Sequence, residues 1–227
     1  MVWVYMPIAP QDRIISLGFR ETGLPHSILI QMSLAGKVIL GRCPGRPGKD
    51  VLLASGTPLA LIYGEPYELE SHHIFGAYPS SSGDTPLFAM REVETDREGP
   101  YFSWAPLTHI QSVNTFSEWG TGLCKGIIFH YRNGGSRALG QCRLKVDQSV
   151  VVEKPCVLCF QTTLYSTADG KRWDHARGVR VEVTGDDSHQ HSDSEWKCIP
   201  LGSGVLTFSF NEDSSWISVR EESPMTE

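Results

Sequence analysis

Apolar and polar residues alternate with a period of two along much of this chain. Ile127, Phe129 and Tyr131 interleave with Ile128, His130 and Arg132. Successive side chains of a strand point to opposite faces, so this period predicts strands. Arg132-Asn133-Gly134-Gly135 follows as a turn, because Asn and Gly tolerate the positive φ of tight hairpins. Ser136–Leu144 then returns. Earlier in the chain Leu29–Ser33 runs out, Ala35-Gly36 turns and Lys37–Arg42 comes back. Further strands are expected at 13–20, 51–54, 59–63, 86–91, 109–116, 149–153, 156–163, 178–184, 205–210 and 215–220. Glycines (22) and prolines (14) separate these runs. No window carries a sustained i, i+3, i+4, i+7 stripe, so the fold class expected is all-β.

The two hairpins also match each other. SILIQMSLAGKVILGRC (Ser27–Cys43) aligns without a gap on GIIFHYRNGGSRALGQC (Gly126–Cys142), pairing Gly36 with Gly135, Leu40 with Leu139, Gly41 with Gly140 and Cys43 with Cys142. Upstream, Ile14–Leu17 matches Ile110–Val113, and Pro7-Ile8 matches Pro106-Leu107. Downstream, Pro58–Tyr63 matches Pro155–Phe160. The order is the same in both halves, which predicts two repeats of ~100 residues. The expected organisation is a single domain, 1–227, made of repeat 1 (1–97) and repeat 2 (98–220) sharing one core, because a lone repeat buries its apolar face poorly. A β-sandwich, a barrel, a prism of hairpin sheets and a small β-propeller all fit this pattern.

Composition narrows the function. At 227 residues and 40% apolar, the chain can bury a sizeable core. A net charge of −6 argues against a nucleic-acid partner, since phosphates repel an acidic surface. No apolar run is long enough for a membrane span, and Pro7, Pro10, Gln11 and Asp12 interrupt what a secretory leader needs. A cytoplasmic chain is therefore expected, with its six cysteines (43, 124, 142, 156, 159 and 198) reduced and mostly buried.

Candidate chemistry is sparse. Nucleophile-elbow, H-E-x-x-H, P-loop and G-x-G-x-x-G motifs are absent. Cys156-Val157-Leu158-Cys159 is a lone C-x-x-C in a strand, where i and i+3 face opposite ways, and reads as two small buried hydrophobes. His189-Gln190-His191 could chelate through alternate residues beside Asp186, Asp187 and Asp193, which would suit a metal-dependent hydrolase. Its setting in Gly185–Glu195 reads instead as a solvated loop. From sequence alone, then, no residue is expected to ligate a metal and no cofactor is expected.

Six tryptophans and seven tyrosines are many for a small β protein. Most such rings fill cores, but indole also supplies a flat apolar wall with one N–H donor. Trp3, Tyr5, Trp104, Trp119 and Trp173 are candidate substrate-binding residues. His130, Tyr131, Arg172 and His175 are the candidate catalytic donors: Arg172-Trp173-Asp174-His175 sets charge beside an indole, and His130-Tyr131 replaces Gln31-Met32 of the first hairpin.

The pattern GI-x-F-x-Y-x-x-G-x-x-x-x-LG at Gly126–Gly140, with the closing stretch Gly202–Phe210, resembles fungal all-β proteins of unassigned function. A broader likeness to cofactor-free hetero-Diels–Alderases of fungal natural-product pathways implies an enzyme that guides a cyclisation or cycloaddition of an apolar small molecule. Such a cyclase needs no nucleophile, because holding reacting groups in register lowers the barrier. The Asn-Gly hairpins are also similar to those of jacalin-type lectins, although that family's sugar-binding loop has no counterpart here. That likeness implies a non-catalytic carbohydrate- or ligand-binding β module. The expected partner is an apolar small molecule, with a second copy of the chain as a further candidate.

Overall fold

The computed structural model describes residues 4–21, 27–41, 49–56, 59–63, 75–78, 101–166, 175–186, 189–191 and 194–220. Those residues are all-β, without a helix and without a closed barrel, and their strands pair antiparallel. Among the described residues no helix is long and apolar enough to cross a membrane. Two compact units divide the chain: Pro10–Thr95, and Met1–Ala9 together with Asp96–Glu227.

The first unit contains β1 (Ile14–Glu21), β2 (Ser27–Met32), β3 (Lys37–Leu40) and β4 (Lys49–Ser55), ordered β3-β2-β1-β4, and a second hairpin of β5 (Ala60–Tyr63) and β6 (Phe75–Tyr78). The second unit opens with β7 (Tyr101–Pro106). Then come β8 (Ile110–Ser117), β9 (Cys124–Tyr131), β10 (Ser136–Gly140) and β11 (Gln148–Glu153), ordered β10-β9-β8-β11. Next are β12 (Val157–Ser166), β13 (His175–Thr184) and β14 (Lys197–Pro200), ordered β13-β12-β14. Last are β15 (Val205–Phe210) and β16 (Ser215–Arg220), which form β16-β15-β7.

The two four-stranded sheets share strand order and register. Leu17 lies opposite Ile30 in one and Val113 opposite Phe129 in the other; Ile28 faces Leu40 as Ile127 faces Leu139. Both first strands carry an irregularity at the same place, between Ile14 and Ser16 and between Ile110 and Ser112. Even the connecting bonds repeat: Met32 N–H to Gly36 O and Tyr131 N–H to Gly135 O, Gly56 N–H to Ile15 O and Lys154 N–H to Gln111 O. Leu29 and Ile128 thus hold equivalent places. The predicted strand at 86–91 lies outside the described residues. β6, β7 and β14 are not in the sequence reading; each is short, and glycine or a terminal proline weakens its signal. The expected return strand 136–144 stops at Gly140, whose φ is +72° and where a Cβ would meet Lys125 O at 2.4 Å.

Three sheets of the second unit enclose one core, built from Leu107, Val113, Ile127, Phe129, Leu139, Leu158, Val179, Leu206 and Phe208. The opposite face of the β10-β9-β8-β11 sheet is covered too: Phe116, Ile128 and Cys142 pack there with Tyr5 and Ala138. That is why β9 is apolar on both faces, and Tyr5 packs with this unit although it precedes β1 in sequence.

In the first unit a buried carboxylate holds the β2–β3 turn. Asp12 accepts hydrogen bonds from the backbone N–H of Arg13, Leu34 and Ala35 and from the Ser33 hydroxyl, at 2.7–2.9 Å. Burial opposes its ionisation, but the donors at Leu34, Ser33, Ala35 and Arg13 prevail and hold its pKa below the ordinary value. A depressed pKa stabilises above the unfolded value and loses that contribution as pH falls through the folded one. Asp12→Asn is expected to destabilise this unit by about 2–3 kcal/mol at neutral pH. It should also flatten the acid limb of the urea-unfolding profile below about pH 4. An unchanged acid limb would refute the assignment.

Candidate metal centre

In β12, Leu158 and Phe160 point into the core and are 0% and 7% exposed. Alternation places Cys159 and Gln161 on the opposite face, yet these are only 1% and 9% exposed. A strand's outer face is buried only if something covers it, and here the cover comes from the segment between β13 and β14. Gln161 reaches Glu195 at 3.5 Å, and Cys159 Sγ meets His189 Nε2 at 2.9 Å.

The ladder fixes the rest. Cys159 lies opposite Glu182 of β13 on one side and Cys198 of β14 on the other, so the three form one row across the sheet. Over this row sit His189 and His191. His189 Nε2 is 3.1 Å from Cys198 Sγ, and the two imidazoles meet edge to face, with ring centroids 5.1 Å apart. His191 stacks flat on Trp196, 4.4 Å between centroids and 6° between planes, while its Nδ1 lies 3.7 Å from Glu182 Oε2.

One donor atom each from Cys159, His189, His191 and Cys198 lies within 4.8 Å of the others. A tetrahedral zinc complex sets N and S ligand atoms about 3.3–3.8 Å apart, so small shifts would form the set, the longest separations contracting and the 2.9 and 3.1 Å His189–sulfur contacts opening. His189 Nδ1 and His191 Nε2 are buried without a hydrogen-bond partner. An orphaned buried nitrogen costs about 1–3 kcal/mol, and on His191 a metal bond at Nε2 would remove the defect. Burial, then the neighbouring Cys198 thiol and nearby negative charge, push the Cys159 thiol up to about 12. A divalent cation among these groups would reverse that balance by favouring thiolates.

A site of two sulfurs and two imidazoles suits zinc, and four protein ligands leave no open position for substrate. Glu182 Oε2 stands 3.7 Å from His191 Nδ1, outside hydrogen-bond reach; a small approach would let it accept from Nδ1–H and direct the other nitrogen of the ring to the ion. Glu182→Gln is expected to weaken metal affinity about 10- to 100-fold without unfolding the protein. Competition with a coloured chelator measures this, and parental affinity in the variant would show that Glu182 orients nothing.

The expectation that no residue ligates a metal therefore meets a four-donor cluster. His189 and His191, paired in the sequence reading, do converge. Their partners do not come from C-x-x-C: Cys156 stays outside, and Cys198 arrives from a strand with no motif.

None of the other predicted residues is a donor of this cluster among the described residues. Tyr131 is buried and donates its hydroxyl to Pro106 O at 2.9 Å; burial raises its pKa, with Arg137 opposing. His130 Nδ1 pairs with Ser136 Oγ at 2.8 Å. Trp104 lies under the Arg137 guanidinium, 4.1 Å from ring centroid to Cζ, and its buried Nε1 has no partner. Tyr5 packs on the outer face of the β9 sheet, and Trp119 is 68% exposed. Trp3, Arg172 and Trp173 lie outside the described residues; His175 begins β13, and its side chain is not described.

No family model, curated protein or solved structure matches this chain.

Proposed function

We propose that this protein is a zinc-bearing β module in which Cys159, His189, His191 and Cys198 hold one structural ion. The observation that carries this reading is the convergence of four soft or borderline donors within 4.8 Å, two of their imidazoles bearing an orphaned buried nitrogen. The ion's role is mechanical. The sequence of 185–196 is mostly polar and its Trp196 stacks on His191, so a metal clamp would supply adhesion that so polar a segment lacks. A closed four-ligand site argues for a binding scaffold rather than a metal-dependent hydrolase. Two thiolates in the site favour a reducing compartment, in keeping with the cytoplasmic location expected from sequence.

The test is elemental analysis of protein purified under reducing conditions. One zinc per chain is expected; protein that neither retains zinc nor takes up cobalt with a thiolate-to-metal absorption band would overturn the reading.

A second reading, binding of an apolar small molecule with or without cyclase chemistry, draws on Trp104. Its indole N–H is buried without a partner on a ring whose other resource is a stacked guanidinium, and a ligand carbonyl would satisfy that donor. Quenching of tryptophan fluorescence by polycyclic ketones, lost in Trp104→Phe, would support it. Quenching by oligosaccharides alone would favour the lectin-like alternative.

A further inference from the structure

We infer that the same cluster is an oxidation-gated clamp: a hydroperoxide converts Cys159 and Cys198 into a cross-strand disulfide and expels the ion. This inference rests on the metal reading above and adds its regulation. It starts from the ladder. Leu201 N–H donates to Cys156 O at 2.8 Å, and extending the β12–β14 register one step past Val157–Pro200 sets these two residues opposite each other. Hydrogen-bonded pairs alternate along an antiparallel ladder, so Leu158–Ile199 is the next such pair. Pro200, which has no N–H, accordingly stands opposite Val157 at a non-hydrogen-bonded position. Cys159 and Cys198 fall at the following non-hydrogen-bonded position, where facing Cα atoms approach to about 4.5 Å. Disulfides accept Cα separations of about 4.4–6.8 Å, so the bond can close with the strands in place.

Access is asymmetric in the way a sensor requires. Cys159 is buried and Cys198 is exposed, so an oxidant meets Cys198 first and the resolving thiolate waits behind it. The chemistry balances. The Cys198 thiolate attacks one peroxide oxygen, becoming a sulfenic acid and releasing hydroxide. The Cys159 thiolate then attacks the Cys198 sulfur, forming the S–S bond and releasing a second hydroxide. Two protons from solvent convert both hydroxides to water. Two electrons pass from sulfur to the peroxide, and the ion, left with two imidazoles, departs. The buried Cys124 and Cys142 and the half-buried Cys156 are not in this row and take no part.

The experiment treats zinc-loaded full chain with hydrogen peroxide in the presence of a zinc-reporting dye, while thiols are counted and peptides mapped by mass. One zinc should be released for every two thiols lost, with the Cys159 and Cys198 peptides linked. Dithiothreitol with added zinc should restore the ion, and Cys156→Ser should behave as the parent does. Zinc release accompanied by sulfinic acid at Cys198, or by a link through Cys156, would overturn the switch while leaving the metal site standing. Failure of the reduced protein to take up zinc at all would instead remove the metal reading, and a mapped Cys159–Cys198 link would then be only a disulfide. Cys198→Ser separates the two further. If it retains measurable zinc on the three remaining ligands, peroxide should no longer release that zinc in step with a disulfide; if it retains none, the parent's release stoichiometry decides.

Discussion

Cys159→Ser and His191→Ala, purified reduced, should each carry less than about a tenth of the parental zinc and melt well below the parent. An ion bound only by the folded state stabilises it by RT ln(1 + [L]/Kd), about 4 kcal/mol when free zinc exceeds the dissociation constant a thousandfold. For a chain of this size each kcal/mol shifts the melting midpoint by about 2–4 °C, so a fall of about 8–16 °C is expected. Chelator added to the parent should reproduce the fall, and chelator added to either variant should do nothing more. Those paired arms separate metal loss from packing loss. Cys159 is fully packed, so serine carries a small cost of its own, but only the metal term disappears in the chelator-treated comparison. A parent whose midpoint ignores chelator would remove the structural role for the ion.

Phe208→Ala should cost about 3–5 kcal/mol, a large part of the 5–15 kcal/mol typical of a whole domain. Phe208 is fully buried in β15, meets Phe210 edge to face at 6.1 Å, and sits 3.0 Å from where a Gly140 Cβ would stand. It therefore ties the β16-β15-β7 sheet to the end of the β9–β10 hairpin, and the backbone around a glycine at positive φ has little freedom to collapse into the void. Urea unfolding followed by circular dichroism measures the loss. Ile217→Val, at the rim of the same core, should cost only about 0.5–1.5 kcal/mol. Equal losses at the two positions would mean that the core is not organised around Phe208. Gly126 guards the other face of the sheet: a Cβ there would lie 2.4 Å from the backbone nitrogen of Cys142.

Much of the architecture was legible because strand periodicity and turn chemistry are local. The paired hairpins carry the same marks in sequence, Gly36 and Gly135 in their turns and Gly41 and Gly140 at their ends. The β3-β2-β1-β4 and β10-β9-β8-β11 orders then fall on the same equivalences. Both closing glycines have positive φ, +103° and +72°, a backbone requirement that sequence registers directly. The candidate site was less legible. His189 and His191 signalled themselves by their spacing, but Cys198 sits in a four-residue strand ending in proline, and Cys159 looked like half of an adjacent C-x-x-C. The aromatic set was no more legible, because composition counts tryptophans without placing them. Trp104 turns out to sit beneath a guanidinium and Trp119 in the open.

By itself the sequence determined that this chain makes antiparallel strands, where they turn, and which residues share a face, since a period of two and a left-handed glycine act within a few residues. Only the tertiary structure decided what lies over each face. Cys159 and Cys198 meet through a register set by strands far apart in the chain, and His189 and His191 descend on them from a loop whose own residues say nothing of where it lands. Pairing across strands depends on the packing of all the strands at once, so a donor set drawn from three elements has no local signature.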